Sequence, residues 1–153
     1  MKRLLEFWMK GRIGDRSMRI SEENKIYLNK KLIKLKTVVS TEFARLPRTL
    51  DDLPHFKATE YREILLYTGV FDLKGSIKNS HYNHFLLLSV AIRILSSDKC
   101  ISLNSIAYDL LIKFVNKFAL LYGPEYSNYN VHSLIHLPYF VRIYGPLHTF
   151  TNN

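Results

Sequence analysis

The sequence contains very little cysteine, glycine or proline. Its single cysteine, Cys100, excludes an internal disulfide and a four-cysteine metal site built from this chain alone. We therefore expect a reducing compartment, either cytosol or nucleus. Six glycines and five prolines among 153 residues are too few for a fibrous or disordered chain. The 47% of hydrophobic residues suffice for one domain with its own core.

Long apolar runs are also missing. The most apolar stretch, Phe85–Leu95, contains Arg93 and is far shorter than the roughly 20 residues needed to span a bilayer. The first residues, Met1–Trp8, offer too short an apolar run for the core of a signal peptide. We therefore expect no membrane partner and no targeting segment.

Apolar residues recur at helical spacing along most of the chain, and no stretch alternates with a period of two for long enough to form a sheet. The pattern predicts an all-α fold, a single irregular helical bundle of about five helices with a basic N-terminal lead-in. Residues 1–20 are interpreted as a short strand or an irregular segment. Five helices are predicted. The first begins after Ser21, the second covers Ala58–Tyr67 and is ended by Gly69, and the third and fourth run from Ser80 to Leu95 and from Leu103 to Tyr122. The fifth begins at Asn130, which is its predicted N-cap.

The helical spacing also predicts which faces are buried. The expected apolar positions include Ile26, Ile33 and Leu35 in the first helix, and Ile106 and Leu110 in the fourth. Pro138 should kink or end the last helix, because it removes a backbone donor. Residues 1–48 are assigned to the lead-in and first helix, and residues 49–153 to the bundle, within one structural domain overall.

Positive charge is concentrated at the start of the chain. Residues 1–48 hold 13 Lys and Arg against 5 Asp and Glu, within a formal net charge of +9 for the whole chain. A basic segment attracts phosphate backbones, since each neutralised phosphate releases counterions. The alternative is a solvated basic face without a dedicated partner. The candidate DNA-binding residues are Lys25, Lys30, Lys31, Lys34, Lys36, Arg45 and Arg48.

Two histidines have the spacing of a metal site. His132 and His136 are four apart on a predicted helix, so both imidazoles project from one face and suit a single zinc ion. Two ligands make only half of a zinc site, and a structural role for the pair is the alternative. No glycine-rich phosphate loop or nucleophile elbow is present, and helix caps and surface solvation account for the acidic residues. We expect no catalytic residues.

Several short strings, taken in order, resemble transposon-encoded proteins of the CACTA/EnSpm-like DDE transposase type. They are STEFARLPRTL at 40–50, FKATEYR at 56–62, LLYTG at 65–69, HFLLLSVAIRIL at 84–95, LYG at 121–123 and NVHSLIHL at 130–137. The resemblance covers most of the chain. It implies an all-helical insert within an RNase H-like catalytic domain, between the second catalytic aspartate and the final glutamate.

Such transposases also carry a two-histidine motif in the insert, paired with an upstream CxxC that completes a zinc site. His132 and His136 match the histidine half, so the resemblance implies zinc only with ligands from elsewhere. This chain has no CxxC, no strand section with the two aspartates and no final glutamate. Two-metal phosphoryl transfer needs those carboxylates. The chain therefore resembles a truncated or decayed transposase fragment, with no enzyme activity expected.

The expected role is a DNA-contacting or scaffold helical module that works in the nucleus if the ancestral function is kept, and otherwise in the cytoplasm. The alternative is a protein–protein interaction module. In that case the bundle packs against a transposase core or against a second copy, because a nearly all-apolar helix over Phe85–Leu95 requires cover.

Overall fold

The computed structural model describes residues 1–35 and 48–150, and these are helical with no extended strand. The predicted all-α class is confirmed. A single β-bridge, between Arg12 and Asp15, closes a turn. The chain forms two compact units, Met1–Tyr82 and Asn83–Asn153, whereas the sequence pattern placed the division at residue 48 within one domain.

The first unit opens with helix α1, Lys2–Lys10, where a strand or irregular segment was expected. That expectation was wrong for residues 2–10, whereas residues 11–20 form turns and contain no helix. Trp8 lies one helical turn after both Leu4 and Leu5, so a helix places all three side chains on one side. All three are buried, and Trp8 completely so. Gly11 ends the helix at a φ of 74°, and its N–H donates to the Phe7 carbonyl oxygen at 2.8 Å.

Helix α2, Glu22–Leu35, begins where Ser21 predicts it. The Ser21 hydroxyl oxygen accepts a hydrogen bond from the backbone N–H of Asn24 at 3.1 Å, which confirms the cap. The predicted face was wrong, however. Leu28 and Leu32 are the buried residues of α2, whereas Ile26 and Ile33 are exposed.

The remainder of the first unit is a broken helical path. A 3-10 segment, Leu50–His55, leads to α3, Ala58–Glu63, then to a π-helical segment, Ile64–Thr68, and to α4, Gly69–Asp72. Gly69 was expected to stop the helix, but its φ of −62° is right-handed helical, and the path continues to Asp72. Asn29 of α2 holds the 3-10 segment, because its side-chain oxygen accepts the Leu50 N–H at 2.9 Å.

Helix α5, Asn79–Leu95, begins in the first unit and continues into the second. A 3-10 segment, Asp98–Leu103, leads from it to α6, Asn104–Tyr122, which Gly123 ends at a φ of 110°. At its start, α6 buries Ala107 and Leu111, each one position beyond the predicted Ile106 and Leu110, and Ile106 is exposed. The other buried residues of α6 are Phe114, Phe118 and Tyr122.

A buried histidine joins α5 to α6 in the second unit. The His84 ring stacks on Phe114 with ring centroids 4.1 Å apart, and its Nε2 lies 2.8 Å from the Phe114 carbonyl oxygen. A carbonyl oxygen only accepts, so Nε2 must carry the hydrogen. The imidazole therefore serves as a polar link within an aromatic core that also includes Phe118 and Tyr122.

The last helical path is interrupted as Pro138 predicts. Helix α7, Tyr129–His132, passes into a 3-10 segment, Ser133–His136, and then into α8, Leu137–Tyr144, with Pro138 in its first turn. The cap is Asn128 rather than the predicted Asn130, since the Asn128 side chain accepts from the Val131 N–H. Over the described ranges, no helix combines the length and the hydropathy that crossing a bilayer requires.

Helix α6 provides a matched test of this core. Leu111 is completely buried and Leu120 is 85% exposed, on the same helix. We expect Leu111→Ala to lower the free energy of unfolding by about 2–5 kcal/mol, because it leaves a cavity. Leu120→Ala should change it by no more than about 0.5 kcal/mol. Urea titration followed by circular dichroism measures both, and equal effects of the two substitutions would contradict the position of α6.

Candidate functional site

The basic residues of α2 differ in how exposed they are to solvent. Lys30 and Lys34 are exposed and lie four residues apart, so they project from the same side of the helix on consecutive turns. Lys30 makes no ion pair with any described residue. Among the described members of the predicted DNA-binding set, Lys30 and Lys34 are the exposed residues.

Two further members of that set, Lys25 and Lys31, lie close to described side chains. Lys25 Nζ lies 3.0 Å from Asp51 Oδ1, and Lys31 Nζ lies 4.5 Å from the centre of the Tyr27 ring. Lys36 and Arg45 fall outside the described residues. The structure thus leaves the accessible positive charge of α2 in its C-terminal half, since Glu22 and Glu23 occupy its first turn.

Arg48 has a structural partner that the sequence analysis missed. Its Nε lies 2.9 Å from Oε1 of Glu60, a carboxylate only 4% exposed, and its Nη1 lies 3.5 Å from Asp52 Oδ2. The second Glu60 oxygen accepts the Lys57 N–H at 2.7 Å, at the start of α3. Arg48 therefore neutralises a buried charge, and Glu60 also caps the start of α3, so a helix cap rather than surface solvation accounts for this carboxylate.

Two further carboxyl groups of the first unit, those of Glu63 and Asp72, lie in partly buried positions. Burial, and then the Glu60 charge, raise the pKa of Glu63, and burial raises the pKa of Asp72 against the opposing effect of Lys31. Perturbed carboxyl groups are typical of acid–base sites. The cavity beside Glu60 and Glu63 has a volume of only about 10 Å³, however, which is no larger than one water requires.

His132 and His136 come together as their spacing predicts. Their ring centroids are 5.8 Å apart with the planes at 76°, and both side chains are exposed. Among residues 1–35 and 48–150, no three or more His, Cys, Asp or Glu side chains group closely enough to hold a metal ion. The pair alone gives two ligands where a structural zinc site needs four. Zinc with ligands from elsewhere stays a prediction.

An open groove of about 780 Å³ lies within the second unit, between the start of α6 and the start of α8. The Asn104 side-chain amide donates to the Pro138 carbonyl oxygen at 3.0 Å and so sets the separation of the two helices. Sequence reasoning could not find this groove, because its walls are some thirty residues apart in the chain. The lining residues are Ile101, Ser102, Asn104, Ser105, Tyr108, Ile135, His136, Pro138, Tyr139 and Arg142.

Helix α8 also exposes a row of aromatic and aliphatic side chains. Phe140 and Tyr144 stack with centroids 6.4 Å apart, and Tyr144 meets Phe150 edge-on at the same distance. Ile143 is exposed beside them. Contiguous apolar surface of this kind is typical of interaction sites.

Comparison with protein-family models, curated proteins and solved structures gives no match to this chain. The resemblance to transposases therefore stays a prediction that depends on the short strings in the sequence.

Substitutions in the Arg48–Glu60 pair distinguish a structural role for Arg48 from a DNA-binding one. We expect Arg48→Gln to lower the free energy of unfolding by about 2–3 kcal/mol, below the range for a completely buried pair because Arg48 is partly exposed. Adding Glu60→Gln should recover part of the loss, since no buried charge then remains. Urea titration measures both variants.

The matched control is Arg19→Gln, because Arg19 pairs with Glu22 at 2.9 Å on the surface. We expect that substitution to cost no more than about 1 kcal/mol. If Arg48→Gln were as mild as the control and weakened DNA binding instead, the sequence-based assignment of Arg48 would stand.

Proposed function

We propose that this chain is a transposon-derived, non-catalytic helical module that contacts duplex DNA through α2. The observation that carries the proposal is the exposed pair Lys30 and Lys34 on one side of that helix, in a chain with a formal net charge of +9. Two ammonium groups one helical turn apart suit neighbouring phosphates of one strand. The transposon origin is supported by the resemblance in the sequence.

The arrangement of charge along α2 supports contact through its C-terminal half. Lys30, Lys31 and Lys34 cluster there, whereas the acidic residues lie in the first turn. Ile26 and Ile33 are exposed on the same helix and add apolar surface to the basic one. Contacts of this kind bind the phosphate backbone without sequence readout, so we expect affinity that depends strongly on salt.

The non-catalytic part of the proposal rests on how the acidic residues are used. Phosphoryl transfer requires carboxylates that converge on metal ions in a space open to substrate. In the first unit, Glu60 is neutralised by Arg48, and the cavity beside it is too small for a substrate. This use of charge favours a scaffold role.

The DNA contact is tested by substituting the two exposed lysines. We expect Lys30→Gln with Lys34→Gln to weaken binding to a fluorescein-labelled duplex measured by anisotropy. The slope of log K against log salt should become shallower by about 2, since two phosphate contacts are lost.

Lys113→Gln with Lys117→Gln is the matched control, because these lysines are also exposed, four residues apart and on one helix. The control should leave the salt slope unchanged. Equal losses from the two double variants would point to non-specific attraction by net charge, and no binding at low salt would refute the DNA contact altogether.

A second candidate function is association with another copy of this chain through α8. The observation that favours it is the exposed aromatic row of Phe140, Tyr144 and Phe150, together with Ile143. Rows of aromatic side chains stabilise interfaces through the area that they bury. This function concerns the second unit and is independent of the lysines of α2.

Sedimentation velocity tests the association. We expect the chain to sediment as a dimer at micromolar concentration, and Phe140→Ser with Tyr144→Ser to sediment as a monomer, because the substitutions remove the apolar contact area. Leu120→Ser, at another exposed apolar position, should leave the dimer intact. A monomer at every concentration of the unsubstituted chain would exclude this candidate.

A further inference from the structure

The groove in the second unit has the dimensions and the wall chemistry of a small-molecule site. Its volume of about 780 Å³ lies within the range of ligand pockets, roughly 300–1,000 Å³. Ile101, Ile135 and Pro138 supply apolar surface to the walls. The hydrogen bond from Asn104 to Pro138 keeps both walls in place without a ligand.

Two basic side chains, those of Arg142 and His136, line the groove. None of the described residues that line it carries a carboxylate. Arg142 makes no ion pair with any residue that the structure describes, although Arg12, Arg19 and Arg48 all have carboxylate partners. A guanidinium donates through a planar fork that matches phosphate and carboxylate oxygens. The groove therefore favours an anionic group beside Arg142.

Two tyrosine rings line the same groove. Tyr108 is 46% exposed and Tyr139 is 62% exposed, which leaves much of each ring in contact with solvent. Tyr108 makes no hydrogen bond or ring contact with a described residue. Exposed tyrosine rings provide flat surfaces on which a planar ligand can stack, and the hydroxyls of Ser102 and Ser105 add donors and acceptors.

We infer that this groove binds a nucleotide, with the phosphate at Arg142 and the base against Tyr108 or Tyr139. Phosphate alone would leave the rings and the apolar wall without contacts, and an uncharged nucleoside would leave Arg142 without a counter-charge. A nucleotide satisfies both parts of the site. A free mononucleotide and one nucleotide of a single-stranded nucleic acid both offer this chemistry.

The site lies in the second unit, so it can fail or succeed independently of the duplex contact proposed for α2. The probes are adenosine monophosphate, adenosine, inorganic phosphate and a short oligothymidylate, each titrated into the full chain in metal-free buffer. Amide and guanidinium signals in ¹H–¹⁵N NMR spectra measure the binding at Tyr108, Tyr139 and Arg142.

We expect adenosine monophosphate to give saturable shifts at these three residues, and adenosine or phosphate to bind at least about tenfold more weakly, because each lacks half of the contacts. Arg142→Gln should weaken nucleotide binding by about tenfold or more, through loss of a charge-assisted hydrogen bond. Tyr108→Leu should weaken it without affecting phosphate. Lys117→Gln, which removes the same charge outside the groove, should have no effect.

The oligothymidylate distinguishes the two sources of the ligand. Tighter binding than adenosine monophosphate at the same residues assigns the groove to single strands, and weaker binding assigns it to free nucleotides. Absence of saturable shifts at millimolar nucleotide overturns the inference, as does binding that Arg142→Gln leaves unchanged. Equal affinity for adenosine and its monophosphate overturns it as well, because the anion would then contribute nothing.

Discussion

The stacking of His84 on Phe114 is the contact on which the second unit depends. The ring pair fixes α5 against α6, and the hydrogen bond to the Phe114 carbonyl oxygen fixes where along α6 the contact occurs. Since α6 is one continuous helix of 19 residues, fixing Phe114 against α5 also fixes the position of the first turns of α6. Asn104 is thereby set opposite Pro138, and Tyr108 at the edge of the groove. A polar contact in the core thus determines the geometry of a surface site.

Local signals in the sequence predicted much of the fold. Ser21 marked the start of α2 and Pro138 the break before α8, because capping and backbone restriction act within a few residues. The buried faces were harder to predict. In the first turns of α6, Ile106 and Leu110 are apolar like their neighbours Ala107 and Leu111, and the packing partners decide which pair is covered. In the same way, the basic residues around α1 obscured its apolar side.

The candidate sites show where sequence reasoning reaches its limit. Exposure of Lys30 and Lys34 follows from local charge, so the sequence could predict it. The pairing of Arg48 with Glu60 and the convergence of Tyr108 with Arg142 join residues 12 or more apart in the chain, which no local pattern encodes. The His132 and His136 rings meet because the two residues are four positions apart in the chain, but whether they bind zinc depends on ligands from elsewhere. The transposase ancestry likewise stays a prediction.

The π-helical segment Ile64–Thr68 has a consequence for aligning this sequence with others. A π turn holds one residue more than an α turn, so the helical path from Ala58 to Asp72 contains an extra residue at this point. Losing that residue would rotate α4 relative to α3 by about 100°, the angle between successive residues of an α-helix. A homologous sequence with one residue fewer in this segment would thus align with a one-residue gap inside a helix, a position where alignments ordinarily admit none.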